Sequence, residues 1–364
     1  MHGMASYFIR RLALVPVTFA CITFLVYAIM RLAPGGPIEQ ARLQMLASQA
    51  EGGGGGGDIS QTGETTLPKE ALEQLRKFYK LDKPIFIGYL VWLGLYPDEH
   101  KEGRFSGILQ GDFGTSYRWN DPVLDTIVSK FPISIYFGLI GYLATWIVCI
   151  PLGVFKALKH RSVFDTATSI LVFIGYSIPG FVAALALMLL FATDNFGMNW
   201  FPLGNFRSEN WDAMWAKGET WWCIKDQLSH TFIPLIAYMM AGFATMTILM
   251  KNSLLDNLGA DYVRTAFAKG LSERRVVFLH ALRNSLIPIC VGIGGAIGLL
   301  FAGSFLIEKT CNIPGMGLLG YNSLIVRDYP VLMGILTFGV LIRLVGNILS
   351  DIVLALVDPR VRFS

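Results

Sequence analysis

Two groups of residues in this chain have a spacing that carries chemical meaning. Arg343, Asn347 and Asp351 fall at i, i+4 and i+8, which puts a cation, an amide and an acid on one face of one helix. The second group is the run Asp261-Tyr262-Val263-Arg264-Thr265-Ala266-Phe267-Ala268-Lys269-Gly270, followed by Leu271-Ser272-Glu273-Arg274-Arg275. Its first part predicts a short helix that stops at Gly270, the residue type that ends helices in the left-handed conformation. Ser272 then suits an N-cap, and Glu273 the positive end of a second helix. Helix, glycine bend, helix makes a protruding elbow. It serves either as a docking knob or as an amphipathic helix lying on a membrane surface.

Nothing else in the sequence has the spacing of a catalytic, metal or cofactor site. The glycine run Gly52 to Gly57 is not followed by Gly-Lys-Ser/Thr, so it is not a phosphate-binding loop. Gly175-Tyr176-Ser177-Ile178-Pro179 lacks the second glycine of a nucleophile elbow. The five histidines are scattered without an HExxH pattern, and the five cysteines form no CxxC pair. If the chain works with ATP, another subunit must bind and hydrolyse it.

The elements that carry these residues are set by hydropathy. Of 364 residues, 53% are hydrophobic and 15% charged, against about 25% charged in soluble domains; mean hydropathy is +0.51. Such a chain has lipid as its main solvent. A net charge of +4, dispersed along the sequence, gives no argument for nucleic acid. A hydrocarbon core of about 30 Å needs roughly 20 apolar residues of helix. Six segments meet this, at about 9–31, 133–155, 167–192, 231–250, 286–307 and 331–357. The expected fold is therefore an all-α integral membrane protein with six transmembrane helices. Pro16, Pro151, Pro179, Pro234 and Pro288 fall in or near these segments, as membrane bundles allow. Gly294, Gly298 and Ala302 form a small-residue row suited to close helix packing.

Arg343 lies near the middle of the last segment, where a charge costs about 2.5–3.5 kcal/mol on insertion scales. The stripe with Asn347 and Asp351 must therefore face protein or water. Two readings stay open: an interhelical tie, Arg343 with Asn347 and a neighbouring carbonyl, or the lining of a transport path.

Orientation follows from Lys and Arg. With the N-terminus inside, the inner pieces hold thirteen basic residues and the two short outer loops hold five. Both termini are expected in the cytoplasm. Leu12 to Met30 is too long for a signal-peptide core and has no small-x-small cleavage site, so it reads as an uncleaved first helix.

The chain then divides into 1–33, the first span; 34–132, a long periplasmic segment; and 133–364, a five-helix core with an inner loop at 251–285. In the long segment, Pro34-Gly35-Gly36-Pro37 breaks the first helix and the glycine run makes a flexible excursion. Pro68 to Leu81 predicts a helix, while Ile85 to Tyr96 is apolar but too short to span and is expected in the outer interface. The outer loop 193–230 carries five tryptophans, which suit interfacial anchoring or contact with a partner or substrate. Cys223 and Cys311 are both expected outside. A bridge between them would need Cα atoms about 4.4–6.8 Å apart.

The 251–285 loop resembles the EAA loop of ABC importer permeases, with Arg264-Thr265-Ala266 and Gly270 at the EAA…G positions. The family's later I-x-L-P stands here as His280-Ala281-Leu282-Arg283. That departure resembles the peptide and nickel branch, whose members read much like Ala268-Lys269-Gly270-Leu271-Ser272-Glu273-Arg274-Arg275 and then His280-Ala281-Leu282-Arg283-Asn284. Leu81-Asp82-Lys83-Pro84, Gly111 to Tyr117, Arg327-Asp328-Tyr329-Pro330 and Asp358-Pro359-Arg360 are similar to the same branch. Only about 45–66 and 205–225 look like insertions. Trp221-Trp222, Lys251-Asn252-Ser253 and the 343–361 region are most similar to permeases for microcin C and peptide uptake in Gram-negative bacteria.

The resemblance implies a type I ABC importer permease of the bacterial inner membrane, with a peptide as substrate and no enzymatic activity or cofactor of its own. It implies a second homologous permease subunit, ATP-binding subunits beneath, and a periplasmic substrate-binding protein above. It also makes the helix before Gly270, with Asp261, Arg264, Thr265, Ala266 and Lys269, the coupling helix that enters a cleft on the ATPase. Ala266 would then allow close approach of that partner. The rival is a self-sufficient secondary transporter or channel. It would show inverted repeats and paired intramembrane acids, whereas no repeat is visible and Asp351 is the one acid well inside a span. An intramembrane enzyme would need a Ser/His or paired-Asp set at depth.

Overall fold

The computed structural model of the protein describes residues 2–32, 82–98, 103–194, 198–292 and 303–357. These residues are helical, with two isolated β-bridges, Asp98 with Arg104 and Thr115 with Pro122. The elements are α1 (His2–Leu32), α2 (Ile85–Leu93), α3 (Val123–Leu158), α4 (Val163–Ser177), α5 (Gly180–Phe191), α6 (Trp211–Ala216), α7 (Thr220–Leu258) and α8 (Asp261–Ala268). Then come α9 (273–285, with a π-helical stretch at Val276–Ala281), α10 (Ile287–Val291), α11 (Phe305–Thr310), α12 (Met316–Ile325) and α13 (Tyr329–Val357). The glycine run, the Pro34–Pro37 break, the Pro68–Leu81 helix, the Gly294/Gly298/Ala302 row and Asp358-Pro359-Arg360 lie outside the described residues.

Among the described residues, three helical segments are long and apolar enough to cross a membrane: Tyr7–Leu32, Val123–Leu158 and Tyr329–Ala355. Two bent pairs bring the number to as many as five. The third expected segment is one of these pairs, because α4 and α5 meet at 97°. Pro179 is the cause: it forces Ile178 into the extended region, at φ −96° and ψ 118°, and has no N–H to continue the ladder. The second and fourth segments are longer than their apolar runs. α3 has 36 residues and α7 has 39, or about 54 Å and 58 Å of helix at 1.5 Å per residue.

The chain forms two compact units. The first holds Met1–Pro16, Ile127–Asn322 and Phe338–Ser364. Here α4 and α5 pack along α7, and glycines allow backbone approach. A Cβ on Gly180 would stand 2.6 Å from the Ala237 carbonyl, and one on Gly153 would stand 2.9 Å from the Thr247 carbonyl. One apolar cluster joins Phe137, Ala184, Met188, Ile233, Ala237, Ile307 and Ile313. A second joins Val154, Ala157, Met250, Leu254, Val263, Ala266, Val276, Ala281 and Ile289.

The first turns of α7 have a polar task that extends the helix beyond its apolar run. Ser208 donates its hydroxyl to Asp226 at 2.5 Å and lies 3.3 Å from Nε2 of His230, whose Nδ1 sits 2.8 Å from the Gly204 carbonyl. This set has the residue types of a hydrolytic triad but not its wiring. In a triad the carboxylate orients the imidazole through Nδ1, whereas here it takes the serine's own hydrogen. The set pins the 204–208 loop to α7. Trp211 and Trp215 stack with ring centroids 5.3 Å apart, with Arg207 over Trp211 at 4.3 Å. Cys223 and Cys311 are both buried and both free thiols; burial raises the Cys311 thiol to about 12.

Glu308 is a fully buried carboxylate in the same unit. It accepts from Tyr238 Oη at 3.2 Å and from the Leu318 amide at 2.7 Å. A Cβ on Gly303 would clash with it, and one on Gly315 would stand 2.7 Å away. Glycine here is the space the carboxylate occupies.

The second unit holds Val17–Thr126 and Ser323–Thr337. α2 buries Tyr89, Val91 and Leu93 and lies on the later half of α1, where Tyr89 Oη donates to the Ala20 carbonyl at 3.0 Å and meets Thr23 Oγ1 at 2.9 Å. Gly94 ends it at φ +88°. Two motifs far apart in sequence meet in this unit. Asp328, 1% exposed, accepts from the Ser116 hydroxyl and from the Tyr117 amide at 3.2 Å. The Gly111–Tyr117 segment is thereby fixed at the start of α13.

Candidate coupling site

The 251–285 loop is a helical elbow with a pinned root. α7 ends at Leu258, and the chain enters α8 through Gly259 and Ala260. α8 has eight residues, too few to be stable alone; its inner face makes it so. Val263 and Ala266, one turn apart, are 1% and 8% exposed in the cluster with Val154, Ala157, Met250 and Leu254. Asp261, Arg264, Thr265 and Lys269 are exposed, and so are the rings of Tyr262 and Phe267. Ala266, at i, i+3 from Val263, packs into its own chain. The outward face is polar and aromatic. Its one ion pair, Arg264 with Asp261 at 3.7 Å, is open to solvent and worth little.

Gly270 stands at φ +78° with open space around its Cβ position. Its amide donates to Phe267 O at 2.9 Å and that of Leu271 to Ala266 O at 3.3 Å, the paired bonds of a Schellman ending. Glycine is needed here for its backbone and not for its size. Ser272 takes the extended backbone of an N-cap, but its side chain makes no capping bond. The chain then runs through α9, whose π stretch buries Val276, Val277 and Ala281.

Two devices at the root escape a reading of the sequence. First, Ser253 donates to the Ser285 carbonyl at 2.9 Å and Ser285 to the Ser253 carbonyl at 3.2 Å, both buried. The two arms of the loop are stapled where they leave the bundle. Second, Asp165 of α4 gathers the basic groups around it. Lys251 of α7 donates to its two oxygens at 2.7 and 2.8 Å. Lys156 of α3 lies 3.2 Å from it, the His160 ring 3.5 Å, and the Arg161 amide donates at 3.1 Å. Lys156, 1% exposed, spends its ammonium hydrogens on Asp165 O, Thr168 Oγ1 and Ser169 Oγ at 3.0, 2.9 and 2.7 Å. In the sequence, Lys156 counts only among the basic residues that set orientation, and Lys251 stands out only within the Lys251-Asn252-Ser253 resemblance. The signal that could have found the set is a charge at the end of each of three neighbouring apolar helices.

The polar stripe of α13 divides. Asp351 is bound to α1: it pairs with Arg11 and accepts from Tyr7 Oη at 3.0 Å, while Arg11 also donates to Tyr7 Oη at 2.8 Å. Arg343 is exposed and has no hydrogen-bond or ion-pair partner among the described residues; Asn347 is half-buried. Of the two readings left open for the stripe, a tie is seen at Asp351, and no bond between Arg343 and Asn347 is present among the described residues. The acid makes the tie, because α1 offers it a cation.

Comparison with known proteins gives a consistent result. Residues 149–363 match the family described as binding-protein-dependent transport system inner membrane component. The chain is 36% identical over 378 residues to the peptidoglycan transport system permease protein YejB of Agrobacterium fabrum, covering 99% of each. It is 37% identical over 380 residues to the inner membrane ABC transporter permease protein YejB of Escherichia coli, covering 99% of this chain and 100% of that one. It is 33% identical over 362 residues to the oligopeptide transport system permease protein AppB of Bacillus subtilis, at the same coverage. With the elbow, its pinned root and the apolar helices in place, this chain belongs to the family of binding-protein-dependent transport system inner membrane components.

Proposed function

We propose that the chain is one of two permease subunits of a peptide ABC importer in the bacterial inner membrane. It has six spans, both termini in the cytoplasm and the 34–132 segment in the periplasm. A periplasmic binding protein delivers peptide to it, a homologous permease completes the path, and ATP-binding subunits drive it. The observation that carries this reading is the elbow: a short helix clamped to the bundle by Val263 and Ala266 while Tyr262, Arg264, Thr265 and Phe267 are exposed on its outward face, open to a partner. The peptide assignment is supported by relatives named for peptidoglycan and oligopeptide transport that align from end to end.

Mechanically, closure of the ATPases pushes α8, and the bundle turns that push into opening and closing of the path. We assign Arg343 and Asn347 to the path lining and Asp351 to a tie with α1. One face of α13 carries Gly339, Arg343, Asn347 and Ser350, while Leu341, Val345, Leu349 and Ile352 expose an apolar face on the opposite side. Lipid thus meets the helix without meeting the guanidinium. The test is uptake of a labelled peptide into vesicles holding the complete complex. Uptake should require ATP, the binding protein and this chain together. ATP-independent uptake by the chain alone would instead mark it as a self-sufficient transporter.

A further inference from the structure

The Asp165 cluster lies at the base of the elbow and not on the surface that would meet an ATPase. It joins the end of α3 through Lys156, the turn through His160 and Arg161, the start of α4, and α7 through Lys251. Lys251 stands two residues before the Ser253–Ser285 staple and ten before Asp261, where α8 begins. The apolar cluster fastens the inner face of α8 to these same ends of α3 and α7, through Val154, Ala157, Met250 and Leu254. A push on α8 therefore has no loose joint at its root in which to be lost. It reaches α4 through a buried carboxylate held from two sides, and α4 leads straight to the 97° break before α5.

We propose that Asp165 is a positioning residue for coupling: its charge, shared between Lys156 and Lys251, passes motion of α8 to the α4–α5 pair. This rests on the coupling role given to α8, so the test must separate the two. Buried ion pairs seldom add net stability, and a role in transmission would give this one a use.

The experiment compares wild type, Asp165→Asn, the double variant Asp165→Asn/Lys251→Gln, and Gly270→Val, each in the complete complex in lipid vesicles. The double variant removes a carboxylate and an ammonium together, so the net charge of the cluster is unchanged, and Lys156 keeps its bonds to the backbone carbonyl of residue 165, Thr168 and Ser169. Assembly, thermal midpoint, ATP hydrolysis and peptide uptake are read on the same preparations. The double variant should assemble with a midpoint near wild type and still hydrolyse ATP, while peptide moved per ATP falls about tenfold. Asp165→Asn should fall at least as far. An unchanged ratio in the double variant, or its failure to assemble, would overturn the proposal, the latter by showing that the cluster holds the fold alone. If Gly270→Val also keeps a wild-type ratio, the fault lies with the coupling role of the elbow and the proposal falls with it.

Discussion

Arg343 shows how a single residue's meaning depends on which neighbour is occupied. Spacing alone leaves it a tie or a path contact, since i, i+4, i+8 fixes a face and not a partner. With Asp351 bound to Arg11 and Tyr7, Arg343 has no partner among the described residues, and the path-lining role proposed for it would put its fork of donors to use. A peptide carboxylate matches it. Arg343→Gln should leave assembly and thermal midpoint unchanged, yet lower uptake of a peptide with a free C-terminal carboxylate about tenfold more than that of its amide. That is the size of one charge-assisted hydrogen bond, about 1.5 kcal/mol. Equal losses for the two peptides, or a drop in stability, would return Arg343 to a structural role. Gly270 is the contrasting case. Its requirement is a local φ, so the sequence alone marks it as the end of α8. Ala266 shows the converse: the side it shares with Val263, buried against α3 and α7, is set by contacts far away in the sequence.

At the scale of elements, the apolar runs of α1, α3, α7 and α13 are legible because burial in lipid is written one residue at a time. Their true ends are less so: α7 extends to Thr220 because Asp226 and His230 hold a loop, a contact that hydropathy does not register. The break at Pro179 is hidden because proline within a span is compatible with either a kink or a corner, and packing of α5 on α7 selects the corner. Lys251 and Asp165 are 86 residues apart, and nothing local couples them.

The packed turn of α11 and α12 also carries a pH dependence. Burial raises the Glu308 carboxyl to about 7, against the pull of the Leu318 amide and the Tyr238 hydroxyl. An acid whose folded value lies above its unfolded one, about 4.3, favours the folded state most when protonated. Its contribution is full below about pH 4 and is lost as pH rises through about 7. The thermal midpoint of the complex should fall between pH 5 and pH 8. In Glu308→Gln, which keeps an acceptor for the amide, that part of the fall should vanish. An identical pH profile in the variant would show that the carboxyl is not the titrating group.

For the whole molecule, the central claim is that the chain takes part in ATP-driven transport through one exposed elbow. Gly270 isolates that claim: a valine at φ +78° costs about 1–2 kcal/mol of backbone strain, and a Cβ there meets nothing within 4 Å, so the strain falls on the backbone where α8 ends. The direct measurement is ATP hydrolysis by the complete complex in lipid, with and without peptide-loaded binding protein. The wild-type chain should show strong stimulation by the loaded binding protein. Gly270→Val should lose it, either because the ATPase no longer binds or because it turns over at an unstimulated rate. Full stimulation in the Gly270→Val complex would contradict the account.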